Sequence, residues 1–358
     1  MNVELRHGGN RAAMARALGC SAGGLLDASA SLVPWTATPW LWPWMAWRDY
    51  PDRDQLCLRR LIASLHGLDG EAVLPGNGAA ELFTWAARDA AELGTSVLQA
   101  PGFADYRRAL RCWSASVREQ RLSLAWGDAF PQVFPEPADG AVLWICNPHN
   151  PTGQLWSRAS LQPLLERYAL VICDEAFLPL VPDGEQQSLL PLVQQHSNLV
   201  VVRSLTKLYG VAGLRLGYAV AQPERLRRWA DWRDPWPVNG MALAVGERLL
   251  ASPRRYRRWC ERVQRWTAAE GGWMQQQLAA LPGITPMPSA VNYLLLRADR
   301  SLVPLREALE QRHGVLLRDC RSFEGLGETW LRIGLQSRRN NRRILRALRQ
   351  ELVRSPLV

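Results

Sequence analysis

From about residue 70 to residue 240 the chain repeats one pattern, a short apolar run followed by a longer stretch of helical periodicity, and this alternation is the signature of a mostly parallel α/β sheet. The strand candidates are Val73–Leu74, Ser96–Gln99, Ala141–Cys146, Leu170–Cys173, Leu199–Arg203 and Leu216–Val220. Between the first two, Ala79–Leu93 reads as a helix, with Gly94 placed to end it. The remaining parts hold helical stretches such as Arg254–Leu281, a strand pair suggested by Asn292–Leu296 and Thr329–Ile333, and a basic terminal helix. The expected organisation is a large domain, residues 49–244, and a smaller α+β domain assembled from both chain ends, residues 1–48 with 245–358. With 358 residues and 47% hydrophobic content the chain can bury cores for both.

Charge brings out the most unusual count in the chain. Of its 43 basic residues all but one are arginine, and the exception is Lys207. Arginine replaces a lysine that merely supplies positive charge, but its guanidinium stays protonated and cannot act as an amine nucleophile. The surviving lysine therefore points to chemistry at a primary amine, although the count alone leaves chance survival open. The net charge of +10 raises the question of nucleic acid, with Arg338, Arg339, Arg342, Arg343, Arg346 and Arg349 as the strongest candidates for phosphate contacts. Ile344, Leu345, Leu348 and Leu352 recur among them at helical spacing, so the segment is expected to be an amphipathic helix with a solvated basic face. No nucleic-acid partner is expected. No apolar window reaches the length of a membrane span, and no secretory leader is visible, so a cytoplasmic protein is expected. The seven cysteines are scattered without ligand spacing and read as reduced structural thiols. His7, His66, His149, His196 and His313 show no spacing suited to a metal, and none is expected. Five of the 17 tryptophans fall between Trp35 and Trp47, as a partner surface, a pocket wall or ordinary packing.

In doubly wound sheets ligands bind beyond the carboxyl ends of the strands, and several unusual groups fall there. Pro75-Gly76-Asn77-Gly78 follows the first strand and opens a helix, offering backbone N–H groups and a positive dipole end to a phosphate; alone, it reads equally as a tight turn. After the fourth strand comes Asp174, a carboxylate able to hold a protonated ring nitrogen, or a helix cap. After the fifth, Ser204-Leu205-Thr206-Lys207 and Arg215 gather two hydroxyls, the sole lysine and an arginine, a set suited to gripping a phosphate while presenting an amine to an aldehyde.

Ser204–Tyr218 resembles the lysine motif of the class I/II pyridoxal-phosphate aminotransferases of fold type I, and Asn147-Pro148-His149-Asn150-Pro151-Thr152-Gly153 is similar to their NPxNPTG motif. The resemblance implies pyridoxal 5'-phosphate as cofactor, a Schiff base on Lys207, Asn150 at the cofactor's ring oxygen and Asp174 at its pyridine nitrogen. It implies that Ser204, Thr206, Arg215 and the amides near Asn77 and Gly78 bind the cofactor phosphate. It places Tyr106 at the ring-stacking position and makes Tyr50 the tyrosine that reaches the phosphate from a neighbouring subunit, hence a homodimer. Arg332, in Leu331-Arg332-Ile333-Gly334, matches the arginine that clamps the substrate α-carboxylate. Phe177 departs from the pattern, standing where many relatives carry a tyrosine that also contacts the ring oxygen.

Within the family the chain most resembles the threonine-phosphate decarboxylases, with the histidinol-phosphate aminotransferases as the alternative. His7-Gly8-Gly9-Asn10, Leu26-Asp27-Ala28-Ser29-Ala30 and Ser204-Leu205-Thr206-Lys207 carry that likeness. It implies a phosphorylated amino acid as substrate, with His7 and Arg318 facing its phosphate opposite Arg332, and a product used in cobalamin biosynthesis. Ser31-Leu32-Val33-Pro34-Trp35 departs from relatives that are rich in Asn at this point. A nicotinamide dehydrogenase would need a third glycine after Gly76-Asn77-Gly78 and an acidic residue about 20 positions on, which are missing. A cofactor-binding regulator would need Lys207 but not both Arg318 and Arg332.

Overall fold

The computed structural model describes residues 7–36 and 48–357. Helix α1 (Arg11–Ala17) and strand β1 (Leu26–Asp27) come first. Then follow α2 (Leu56–His66), β2 (Val73–Asn77), α3 (Ala79–Leu93), β3 (Ser96–Ala100), α4 (Ala104–Cys112), β4 (Val117–Arg121), β5 (Val142–Cys146), α5 (Arg158–Leu161), β6 (Leu170–Asp174), β7 (Leu199–Ser204), α6 (Leu205–Tyr209) and β8 (Leu216–Val220). Strands β2 to β8 form a seven-stranded sheet in the order β2-β8-β7-β6-β5-β3-β4. It is parallel except for β8, which runs antiparallel to both β2 and β7. All six strand candidates lie in this sheet. Their side chains alternate between two apolar layers: Val142, Trp144 and Cys146 of β5 join Phe83, Leu110 and Trp229 on one face, while Leu143 and Ile145 join Leu58, Val171 and Val201 on the other. Burial on both faces is why these strands read as unbroken apolar runs. Strand β4 was missed because an edge strand has one partner and a solvated side, and Val-Arg-Glu-Gln-Arg carries no such run.

The chain continues through α7 (Pro223–Trp232), α8 (Gly240–Leu250), α9 (Pro253–Ala279), β9 (Thr285–Pro286), β10 (Tyr293–Arg297), α10 (Val303–His313), β11 (Val315–Leu316), β12 (Arg318–Asp319), β13 (Trp330–Gly334) and α11 (Arg338–Arg354). Strands β12-β13-β10-β9 form an antiparallel sheet, and the expected strand pair is its centre, β10 with β13. Behind it Met274, Leu278, Leu294, Ile333, Ile344 and Leu348 form a further core that includes Leu26 and Ala28 from the other end of the chain. Strand β1 pairs in parallel with β11, so residues nearly 290 positions apart share one ladder. Helix α11 buries Ile344, Leu345, Leu348 and Leu352 as its periodicity predicts. At the end of β13, Gly334 donates to the Ala28 carbonyl at 2.7 Å, and a Cβ there would come within 2.9 Å of the Ser31 backbone. This close approach lays residues 29–34 against the sheet. Of the tryptophan-rich stretch only Trp35 falls within the described residues, edge-on to Trp266 at 5.3 Å; the expectations for Trp40 to Trp47 lie outside them. All seven cysteines are free. Among the described residues no helix is long and apolar enough to cross a membrane.

Candidate active site

A cleft of about 1060 Å³ opens where the carboxyl ends of β6 and β7 meet the antiparallel sheet and residues 29–36. Asp174 is the last residue of β6, and Ser204 ends β7 and caps α6, its Oγ accepting from the Thr206 amide at 3.3 Å. One short turn of helix therefore carries Thr206 and Lys207 directly from the strand end into the cleft. Asn150 enters from the loop after β5, Arg215 from the turn before β8, and Arg318 and Arg332 from β12 and β13.

Burial sets the electrostatics. It lowers the Lys207 ammonium from its usual value to about 8, helped by the nearby Arg332 and Arg215 guanidiniums and opposed by Asp174. The same desolvation raises the Asp174 carboxyl to about 6, although the Tyr106 hydroxyl donates to its Oδ2 at 2.6 Å and the Ala176 amide to its Oδ1 at 2.9 Å. The Lys207 amine lies 5.4 Å from the centre of the Phe177 ring, which in turn meets Tyr293 edge-on. Arg332 donates to the Asn150 side-chain oxygen and to the Ser29 carbonyl, tying the loop after β5 to the amino-terminal segment. Arg318 and Arg332 are direct cross-strand partners, and both guanidiniums lie against the Phe323 ring. Burial lowers both, and the proximity of Arg332 contributes to holding Arg318 at about 10.

Ser204, Thr206, Lys207, Arg215, Asn150, Asp174, His7, Arg318 and Arg332 all line this one cleft. Three expectations, those for Tyr106 and for the amides of Asn77 and Gly78, need a different description. Tyr106 does not stand on the cleft wall: it is buried beneath Asp174, touching Phe83 and Trp144, with its hydroxyl on the carboxylate. The aromatic on the wall is Phe103, because α4 begins at Ala104 and a residue three positions further along the helix is carried inward. The amides of Asn77 and Gly78 are engaged locally, with Glu81 Oε2 at 2.7 Å and the Gly76 carbonyl at 2.7 Å, and Ala79 and Ala80 line the cleft instead. Gly78 matters through its missing side chain, since a Cβ would come within 2.5 Å of the Arg215 guanidinium. Tyr50, expected to act in a neighbouring subunit, is 80% exposed and stacked on Trp236, and it is not among the residues that line the cleft of its own chain. His7 borders a second cavity of about 480 Å³ as well, which shares Arg318 and Ser29 with the first.

Sequence reasoning missed Phe103, Ser29 and Phe323. Phe103 was within reach, since an aromatic immediately before a helix start sits at the strand end that faces ligands; nothing in the sequence marks a backbone carbonyl such as that of Ser29.

The donor set fits pyridoxal phosphate. A buried amine of lowered pKa suits an aldehyde, a carboxylate at the strand end suits a ring nitrogen, and Ser204, Thr206 and Arg215, the last with its guanidinium seated where a side chain on Gly78 would stand, suit a phosphate.

Residues 45–348 match the family model described as aminotransferase class I and II. The chain is 34% identical to the threonine-phosphate decarboxylase of Salmonella typhimurium, covering 97% of this chain and 96% of that one. It is 35% identical to the histidinol-phosphate aminotransferase of Symbiobacterium thermophilum over 85% of this chain and 82% of the other. The crystal structure of the histidinol-phosphate aminotransferase from Clostridium acetobutylicum superposes with a TM-score of 0.82 at 22% identity, covering 92% and 100% of the two chains.

Proposed function

The chain belongs to the class I and II aminotransferase family, and from that premise we propose that it is a pyridoxal-phosphate-dependent decarboxylase acting on L-threonine O-3-phosphate, in the place within cobalamin biosynthesis that the resemblance implies. The observation that carries the proposal is the side-by-side pair Arg318 and Arg332 in the cleft that holds Lys207. Two buried guanidiniums whose charged forms are both disfavoured by desolvation are matched by a ligand with two separate anionic groups. An α-carboxylate and a phosphate ester on one small amino acid supply them.

When bound, the cofactor supplies an electrophilic carbon for the substrate amine and a protonated ring that accepts the electrons of the bond being broken. The residues do the rest. Asp174 would keep a proton on the ring nitrogen, Asn150 would hold the ring oxygen, and Ser204, Thr206 and Arg215 would hold the phosphate, with Phe103 as the aromatic of the cleft wall available to the ring. Arg332 takes the α-carboxylate; Arg318 and His7 take the substrate phosphate. Fixing the substrate at two anionic ends would restrict the torsion about Cα, and the decarboxylase reading requires that the bond to the carboxylate be the one this torsion aligns for cleavage. Lys207, set free when the substrate amine takes its place, would return a proton to Cα from its ammonium form, which a pKa of about 8 leaves in the majority near pH 7.5. The enzyme is a cytoplasmic homodimer in which Tyr50 completes the partner's phosphate site; its exposure and its absence from the lining of its own chain's cleft support this.

The test is product analysis of the holoenzyme with O-phosphothreonine, with and without an added 2-oxo acid. Release of CO₂ without the oxo acid is expected. A product that needs the oxo acid and appears without CO₂ would replace the decarboxylase with the aminotransferase that the histidinol-phosphate relatives represent. Arg318→Ala is expected to lower kcat/KM for the phosphorylated substrate about ten- to a hundredfold, as for the loss of a charge-assisted contact, while sparing threonine. Equal losses on both substrates would show Arg318 to be structural.

A further inference from the structure

Directly behind Asp174 and Ser204 lies a buried ion cluster that the reaction does not use. Arg203 is 1% exposed, and its Nε donates to Glu175 Oε2 at 2.9 Å. Its two terminal nitrogens take both carboxylate oxygens of Glu185, at 2.7 and 3.0 Å, and Nη2 also donates to Ser188 Oγ at 2.9 Å. Glu175, fully buried, accepts in addition from Ser188 Oγ at 2.7 Å and from the Leu189 amide at 2.7 Å.

The position of this cluster in the chain gives it a consequence for the cleft. Successive residues of an extended chain face opposite sides, so Asp174 and Ser204 look into the cleft while their neighbours Glu175 and Arg203 look away from it. The Glu175 amide donates to the Val202 carbonyl at 2.8 Å, the last link between the two strands. The loop from Glu175 to Leu189 is closed on itself by the same carboxylate, and it carries Ala176 and Phe177, both on the cleft wall, with Phe177 beside the Lys207 amine.

We propose that Arg203 and Glu175 are positioning residues: their buried ion pair, bridged to Glu185 and Ser188, fixes Asp174, Phe177 and the Lys207 turn relative to one another and so sets the registration between the two ends of the cofactor. This rests on the reading of Lys207 and Asp174 given above. A simple filler of space would act on stability alone. A clamp sets the electrostatic coupling between Asp174 and Lys207, which is measurable in the protein without cofactor because the chain has one lysine.

The experiment is a cycle on protein carrying ¹³C-labelled lysine. In the native frame Asp174→Asn lowers the titration midpoint of Lys207, since the carboxylate favours the ammonium. The same substitution is then made in the double variant Arg203→Met with Glu175→Gln, which removes one charge of each sign and leaves Glu185, 46% exposed, to solvent. The proposal expects the midpoint shift on Asp174→Asn to fall to half or less in the clamp-free frame, and kcat of the holoenzyme to drop about ten- to a hundredfold with substrate KM little changed, as misplacement of this order does. A folded double variant with the native midpoint shift and native kcat overturns it. If the double variant does not fold, Glu175→Gln alone, which leaves Arg203 paired with Glu185 and adds no second lysine, is read against the same criteria. The wild-type protein serves as the control for the cofactor reading: failure of borohydride to fix pyridoxal phosphate at its Lys207 would sink that reading independently of the clamp.

Discussion

The lowered pKa of Lys207 determines how much of the enzyme holds a usable nucleophile. An ordinary lysine at 10.5 is neutral in about one molecule in a thousand at pH 7.5, whereas one at about 8 is neutral in roughly one in four. The shift of about 2.5 units corresponds to about 3 kcal/mol of disfavour for the ammonium, assigned first to burial and then to Arg332 and Arg215, against Asp174. Because the chain has one lysine, incorporation of ¹³Cε-lysine gives a single resonance whose pH titration in the cofactor-free protein reads that value without assignment. The midpoint is expected near 8. Arg332→Gln removes a like charge and should raise it, and Asp174→Asn removes an opposite charge and should lower it, each by at least about half a unit. A wild-type midpoint close to 10.5, or two variants that move it in the same direction, would refute the account of the site's electrostatics.

Asp174 has a folded pKa of about 6 against an ordinary 3.8, so its ionised form destabilises the cofactor-free fold above pH 6, and that penalty disappears as pH falls from 6 toward 4. Asp174→Asn should therefore stabilise the cofactor-free protein by up to about 3 kcal/mol at pH 8 and by little at pH 4, read from urea unfolding at the two pH values; a pH-independent difference would contradict it. Lys207→Arg should abolish turnover while preserving the fold, because guanidinium cannot exchange an imine; near-normal activity in that variant would end the lysine argument. Mixing an inactive Tyr50→Phe protein with an inactive Lys207→Arg protein under demonstrated subunit exchange should restore part of the activity, and a strictly monomeric active enzyme would exclude the shared site.

The strands and the lysine turn were legible because each rests on a local signal. Doubly buried strands must be apolar at every position, and a sole lysine beside Ser204 and Thr206 is a chemical statement independent of the fold. Arg318 and Arg332 were found as separate motifs, but their pairing across β12 and β13 depends on strand register, which 14 positions of sequence separation do not reveal. Tyr106 shows the limit at a single residue. Its identity suited a ring-stacking role, and only the point where α4 starts decides that Phe103 lines the cleft while Tyr106 serves Asp174 from below. The Arg203 cluster was hidden for a similar reason: its carboxylates come from Glu175 and Glu185, and only the closed loop between them makes one site of the two.

The parallel ladder between β1 and β11 also orders events during synthesis. The cleft residues of this chain that are to grip the cofactor, from Phe103 to Arg215, have left the ribosome while β11, Arg318 and Arg332 are still to be made, and at roughly 5–20 residues per second the wait from Arg215 to Arg332 is about 6–23 seconds. During that interval the segment carrying His7, Leu26 and Ser29 has no strand to join, and Leu26 and Ala28 have no core to enter. The nascent chain thus completes its cofactor cradle before it owns a substrate clamp, and premature release between those two points would yield a protein with a reactive amine and no means of choosing what it reacts with.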